Sequence, residues 1–125
     1  MRIKEIMNRA IAVAHDISIK DAAKIMTDKK IGSLIAMKGD DIAGIITDKD
    51  ITKNASNVNK KISSAMTRVV DTVQENEDLV EAADMMKAKK IKHLPVVNED
   101  GKLVGIVTAT DLIEHSDDLE EDFWM

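Results

Sequence analysis

Gly105-Ile106-Val107-Thr108-Ala109-Thr110-Asp111 reads as the end of a buried strand running straight into a helix. A Thr stands at the turn and an Asp follows three residues later. The same corner occurs earlier as Gly44-Ile45-Ile46-Thr47-Asp48-Lys49-Asp50. The chain is therefore two copies of one unit, each ending in strand, Thr-x-x-Asp and helix.

Working outward, the repeat holds its spacing. Ala22-Ala23-x-x-Met26 returns as Ala82-Ala83-x-x-Met86, and Lys29-Lys30-Ile31 as Lys89-Lys90-Ile91, both at 60 residues. Gly44, Ile45, Thr47 and Asp50 return as Gly105, Ile106, Thr108 and Asp111 at 61. The extra residue falls in a hairpin turn, where insertion costs little. Upstream, Met7-x-Arg9 matches Met66-x-Arg68 at 59. A unit of about 60 residues cannot bury much surface alone. Two copies packed around a pseudo-two-fold axis solve that problem.

Each copy reads as β-α-β-β-α, so the expected class is mixed α and β (α/β, or α+β). In copy one, residues 3–8 suggest a short helix and Ile11-Ala12-Val13 an extended segment. Ser18 with Asp21 signals a helix start, and the helix runs to about Lys30 with Ile19, Ala22, Ala23 and Met26 as its buried stripe. Strands follow at 33–37 and 42–46, then a helix over 48–55. In copy two, residues 62–67 suggest a short helix and Val69-Val70 an extended segment. A helix is expected over 78–90, strands over 93–97 and 102–107, and a helix over 109–119. The expected domains are 1–60 and 61–116, with 117–125 an acidic tail carrying Phe123 and Trp124.

The 125 residues suit a domain with a proper core, and 44% hydrophobic with 33% charged residues describes a soluble globular chain. No apolar run approaches the roughly 20 residues of a membrane helix. The start shows no secretory signal, and there is no cysteine, which fits a reducing cytoplasm. Net charge is −5, concentrated between Glu114 and Asp122, so the body is near neutral. That balance, with one Phe and one Trp, both in the tail, argues against a nucleic-acid binder. An enzyme is disfavoured: there is no Cys nucleophile, phosphate-binding Gly-rich loop or His-x-x-x-His pair, and His15, His93 and His115 lack a supporting motif.

This organisation resembles a pair of CBS domains, named after cystathionine β-synthase. The residues that carry the likeness are Ile91-Lys92-His93-Leu94-Pro95-Val96-Val97 and Gly101-Lys102-Leu103-Val104-Gly105-Ile106-Val107-Thr108-x-x-Asp111. In copy one they are Ile31-Gly32-Ser33-Leu34-Ile35 and Gly44 to Ile51. The likeness covers residues 1 to about 116. It implies a stand-alone regulatory module, a homodimer, binding an adenosine-containing ligand (AMP, ADP, ATP or S-adenosylmethionine) in the cleft between copies. No further cofactor is implied. Asp50 and Asp111 would take ribose hydroxyls, Thr47 and Thr108 ribose or phosphate. Ile11 and Val70 would line the adenine. A scaffolding module working through protein contacts is the alternative.

The residues themselves support such chemistry. A carboxylate accepts two hydrogen bonds, which fits a vicinal diol. A Thr at a helix start, beside free backbone N–H groups, fits a phosphate oxygen. Lys49, Lys92, Arg9 and Arg68 are the candidate counter-charges. Ser33 and His93 occupy matching strand starts, and Pro95 follows His93. The grouping of Lys92, His93 and Thr108 favours the Asp111 corner for a phosphorylated ligand. Thr-x-x-Asp after a strand is equally a helix cap with Asp at its third position. Duplication copies a cap as faithfully as a site, and both roles can coexist. Pro95 within a strand suggests an edge or bend.

Overall fold

The computed structural model describes residues 1–119. The chain divides into two compact units: Ile11–Val70, and Met1–Ala10 together with the chain from Asp71 onward. Packing and sequence repeat are thus offset. The Met7-x-Arg9 segment precedes copy one yet packs in the unit of copy two, and Met66-x-Arg68 packs in the unit of copy one. Phe123 and Trp124, with most of the acidic tail, lie outside the described residues.

The unit Ile11–Val70 runs β1 (Ala12–Ala14), α1 (Ile19–Lys29), β2 (Ser33–Lys38), β3 (Asp41–Thr47) and α2 (Asp48–Lys53). β2 is the central strand, parallel to β1 and antiparallel to β3. The Ser18 hydroxyl caps α1 by accepting from the Asp21 N–H at 3.0 Å. Ile19, Ala22 and Met26 face the sheet residues Leu34, Ala36 and Ile46 in one buried cluster. A 3-10 turn at Ile62–Ser64 adds Ile62, and the following segment adds Met66.

The second unit runs β4 (Val73–Gln74), α3 (Leu79–Lys89), β5 (His93–Val97), β6 (Leu103–Thr108) and α4 (Ala109–Glu114). Strand order is β4-β5-β6, with β5 central. Leu79, Ala82 and Met86 of α3 pack on Leu94, Val96 and Val107, and a 3-10 turn at Ile3–Glu5 contributes Ile3. α4 is shorter than its sequence pattern suggests. It ends at Glu114, and a 3-10 turn at Ser116–Asp118 carries Leu119 back into the core.

The extended segment expected at Val69-Val70 is not the first strand of this unit. Val69 is exposed, and the strand begins at Val73. The sheet register explains the shift. Val13 pairs with Ala36 and Val73 with Val96, so Val73 answers Val13 and Asp71 answers Ile11. In the first unit the Ile35 N–H donates to the Ile11 carbonyl at 3.0 Å. Its counterpart is Pro95, which has no N–H. The ladder loses that bond, and β4 is two residues long where β1 is three. Pro95 is accordingly not at an edge. It is fully buried in the central strand, its imide nitrogen facing the place where β4 has not yet started.

The change of repeat spacing also has a place. β2 and β3 are joined through Gly39-Asp40, whereas β5 and β6 are joined through residues 98–102. There the Asn98 side-chain oxygen accepts from the Asp100 and Lys102 N–H groups, both at 3.0 Å. Both helices α1 and α3 end on a lysine in the left-handed region, Lys30 at φ 55° and Lys90 at φ 56°.

Candidate functional site

Each unit builds one Thr-x-x-Asp corner where its last strand turns into its last helix. In the first unit Thr47 is the N-cap of α2, and its hydroxyl accepts from the Asp50 N–H at 3.4 Å. Asp50 answers with one carboxylate oxygen, Oδ2. That atom accepts from the Thr47 N–H at 2.9 Å and the Thr47 hydroxyl at 3.1 Å. This is a reciprocal cap. The capping role read from the sequence is therefore real, and the aspartate beside it is held in one orientation.

The second unit repeats the geometry. Asp111 Oδ2 accepts from the Thr108 N–H at 2.8 Å and the Thr108 hydroxyl at 3.0 Å. Here a further group enters. Asn8 Nδ2 donates to Asp111 Oδ1 at 2.8 Å and to Oδ2 at 2.9 Å. Asp111 is 9% exposed, while Asp50 is half-buried. Asp50 Oδ1 has no hydrogen-bond partner among the described residues.

Asn8 reaches Asp111 because its backbone is bolted to β6. Asn8 N–H donates to the Ile106 carbonyl at 2.8 Å, and the Ile106 N–H donates back at 2.9 Å. Thr67 makes the same paired bonds to Ile45, at 2.9 and 3.0 Å. Thr67 thus stands in the first unit where Asn8 stands in the second. Asn8 was not among the residues singled out from sequence. The available signal was the contrast between Met7-Asn8-Arg9 and Met66-Thr67-Arg68, matched at both flanks and different in the middle.

The other expected site residues fall as follows. Ser33 pairs with Thr47 across β2 and β3, and His93 with Thr108 across β5 and β6, so each flanks its corner. Ser33 is buried and His93 half-buried. Lys49 and Lys92 are exposed, and the Lys92 carbonyl accepts from the Ala109 N–H at the start of α4, at 2.9 Å. Arg9 belongs to the Asp111 unit and Arg68 to the Asp50 unit. Both are exposed, and Arg68 donates to the Ser63 carbonyl at 2.8 Å. Ile11 and Val70 are half-buried, with Ile11 tied to β2 through its carbonyl and Val70 outside the sheet.

Two β-α-β-β-α units with this corner in each match known proteins. The family model of the CBS domain fits residues 3–57 and again residues 61–118. The chain belongs to the CBS domain family. The crystal structure of the CBS domain pair of protein MJ0100, in complex with 5-methylthioadenosine and S-adenosyl-L-methionine, is 34% identical at a TM-score of 0.87. It covers 94% of this chain and 96% of that one. An uncharacterized 17.7 kDa protein of Acidianus ambivalens is 36% identical over 107 residues, 83% of this CBS pair and 65% of that protein. The L-aspartate semialdehyde sulfurtransferase of Methanocaldococcus jannaschii is 38% identical over 112 residues, but only 22% of its length is matched. The chain thus spans less than two thirds of the curated relatives it matches.

Proposed function

We propose that this CBS pair is a ligand-sensing regulatory module for an adenosine-containing small molecule. The observation that carries this reading is the likeness, over nearly the whole chain, to a CBS domain pair in complex with 5-methylthioadenosine and S-adenosyl-L-methionine. The corner chemistry supports it. Each corner holds an aspartate in a fixed orientation beside a helix start, and a carboxylate suits the vicinal diol of ribose. AMP, ADP and ATP belong to the same ligand class, with Lys49, Lys92, Arg9 and Arg68 as the cations available to phosphate. Binding would shift the population of conformations that a regulated partner recognises. A cytoplasmic location and a homodimer complete the proposal.

Isothermal titration calorimetry with S-adenosylmethionine, 5-methylthioadenosine, AMP and ATP tests it. Micromolar binding of one of them is the expected result. A ligand at 100 times its dissociation constant should also add about 2.7 kcal/mol of stability, visible as a raised Tm. No heat and no Tm shift with all four would leave the scaffolding alternative.

A further inference from the structure

We infer that Asn8 makes the two corners unequal: the Asp50 corner receives the ligand's vicinal diol, while the Asn8 amide holds the Asp111 corner shut. This rests on the adenosine-ligand reading above and adds which carboxylate serves it.

A carboxylate offers about four acceptor positions, two on each oxygen. At Asp111, Oδ2 already accepts from the Thr108 N–H, the Thr108 hydroxyl and Asn8 Nδ2, and Oδ1 accepts from Asn8 as well. A diol arriving there finds one position left, on Oδ1, and can seat both of its hydroxyls only by expelling the Asn8 amide. It would exchange one hydrogen bond to the charged group for another and gain little. At Asp50 the two Thr47 bonds fall on Oδ2, and Oδ1 is open among the described residues. A diol there adds bonds and displaces none.

The difference lies in one side chain and not in the frame that carries it. Asn8 and Thr67 are pinned to Ile106 and Ile45 by the same pair of backbone bonds. The Asn8 amide spans the distance to the aspartate, whereas the Thr67 hydroxyl makes no bond to Asp50 among the described residues. Two of the candidate cations, Lys49 and Arg68, belong to the same unit as the open corner.

The test is calorimetric titration of the whole chain with S-adenosylmethionine, AMP and ATP, in the unmodified protein and in two variants. The unmodified chain should bind one ligand. Asp50→Asn keeps an oxygen for the cap but turns the open side into an amide, and should weaken binding about 10- to 100-fold. Asn8→Thr copies the first unit's residue into the second and should raise the stoichiometry from one to two, because it frees Asp111 without touching the backbone bridge. Two equal sites in the unmodified chain, full affinity in Asp50→Asn, or a single site in Asn8→Thr would each overturn the inference and leave the sensor reading standing. No heat from the unmodified chain with any probe would instead overturn the sensor reading, and this inference with it.

Discussion

Gly105 lies directly beneath Asn8: a Cβ placed on Gly105 would stand 2.9 Å from the Asn8 carbonyl oxygen and 2.7 Å from Met7 Sδ. Gly44 stands in the same relation to Thr67, whose carbonyl oxygen would be 2.7 Å away. The thioether can move aside, but the carbonyl is fixed by the backbone bridge. Gly105→Ala should therefore cost about 1–3 kcal/mol, and Gly44→Ala at least as much. Urea unfolding of each variant measures this, and an unchanged midpoint would mean that the bridge yields easily.

The lysines that end α1 and α3 sit where a side chain is unwelcome. Lys30 and Lys90 have φ near +55°. Glycine adopts that conformation without the Cβ penalty and is the usual residue there. Lys30→Gly and Lys90→Gly should each raise stability by about 0.5–1 kcal/mol, since the relief of strain exceeds the added freedom of the unfolded chain. Thermal unfolding checks it, and a lowered Tm would show that the lysine side chains contribute more than the strain costs.

Removing the caps should hurt both units unequally. Thr47→Ala should cost about 1 kcal/mol, as for a lost helix cap. Thr108→Ala should approach about 2 kcal/mol: both aspartates lose the hydroxyl that donates to them, but Asp111 is buried, whereas water can replace the bond at the half-buried Asp50. Equal losses in denaturant titrations would argue that Asn8 and the backbone N–H of residue 108 suffice for Asp111.

Pro95→Ile restores the residue type that Ile35 supplies in the other unit. By the register of the other unit, the new N–H would be directed to the Asp71 carbonyl, in the place of the Ile35–Ile11 bond. Hydrogen exchange should show the amide at position 95 protected like that of Ile35. Stability should change little, since a bond of about 1 kcal/mol is offset by the extra freedom of the unfolded chain without proline. Rapid exchange at that amide would show that something other than the missing donor shortens β4.

The order of elements was legible because it rests on local signals. Ser18 ahead of an apolar stripe, Thr47 and Thr108 after buried strands, and polar turns between apolar runs each declare themselves within a few residues. What escaped depends on distant partners. The start of β4 is set by Pro95, more than 20 residues further along, so Val69 and Val70 looked like strand without being one. The Asn8–Asp111 pair joins positions 103 apart in sequence. No local pattern marks it, and only the mismatch with Thr67 hints at it. The left-handed ends at Lys30 and Lys90 hide because lysine carries no preference for that conformation, whereas a glycine would have advertised it.

The exchanged segments have a thermodynamic corollary. Because Met1–Ala10 packs with the chain beyond Asp71, the unit Ile11–Val70 is an insertion into its host. The host must close a loop as long as the guest. With the guest unfolded that closure costs on the order of 4 kcal/mol, by the logarithmic dependence on loop length. A folded guest brings a definite distance between its ends and relieves that cost. A small molecule that tightens the guest at Asp50 would therefore also strengthen the host, through the chain ends that join them.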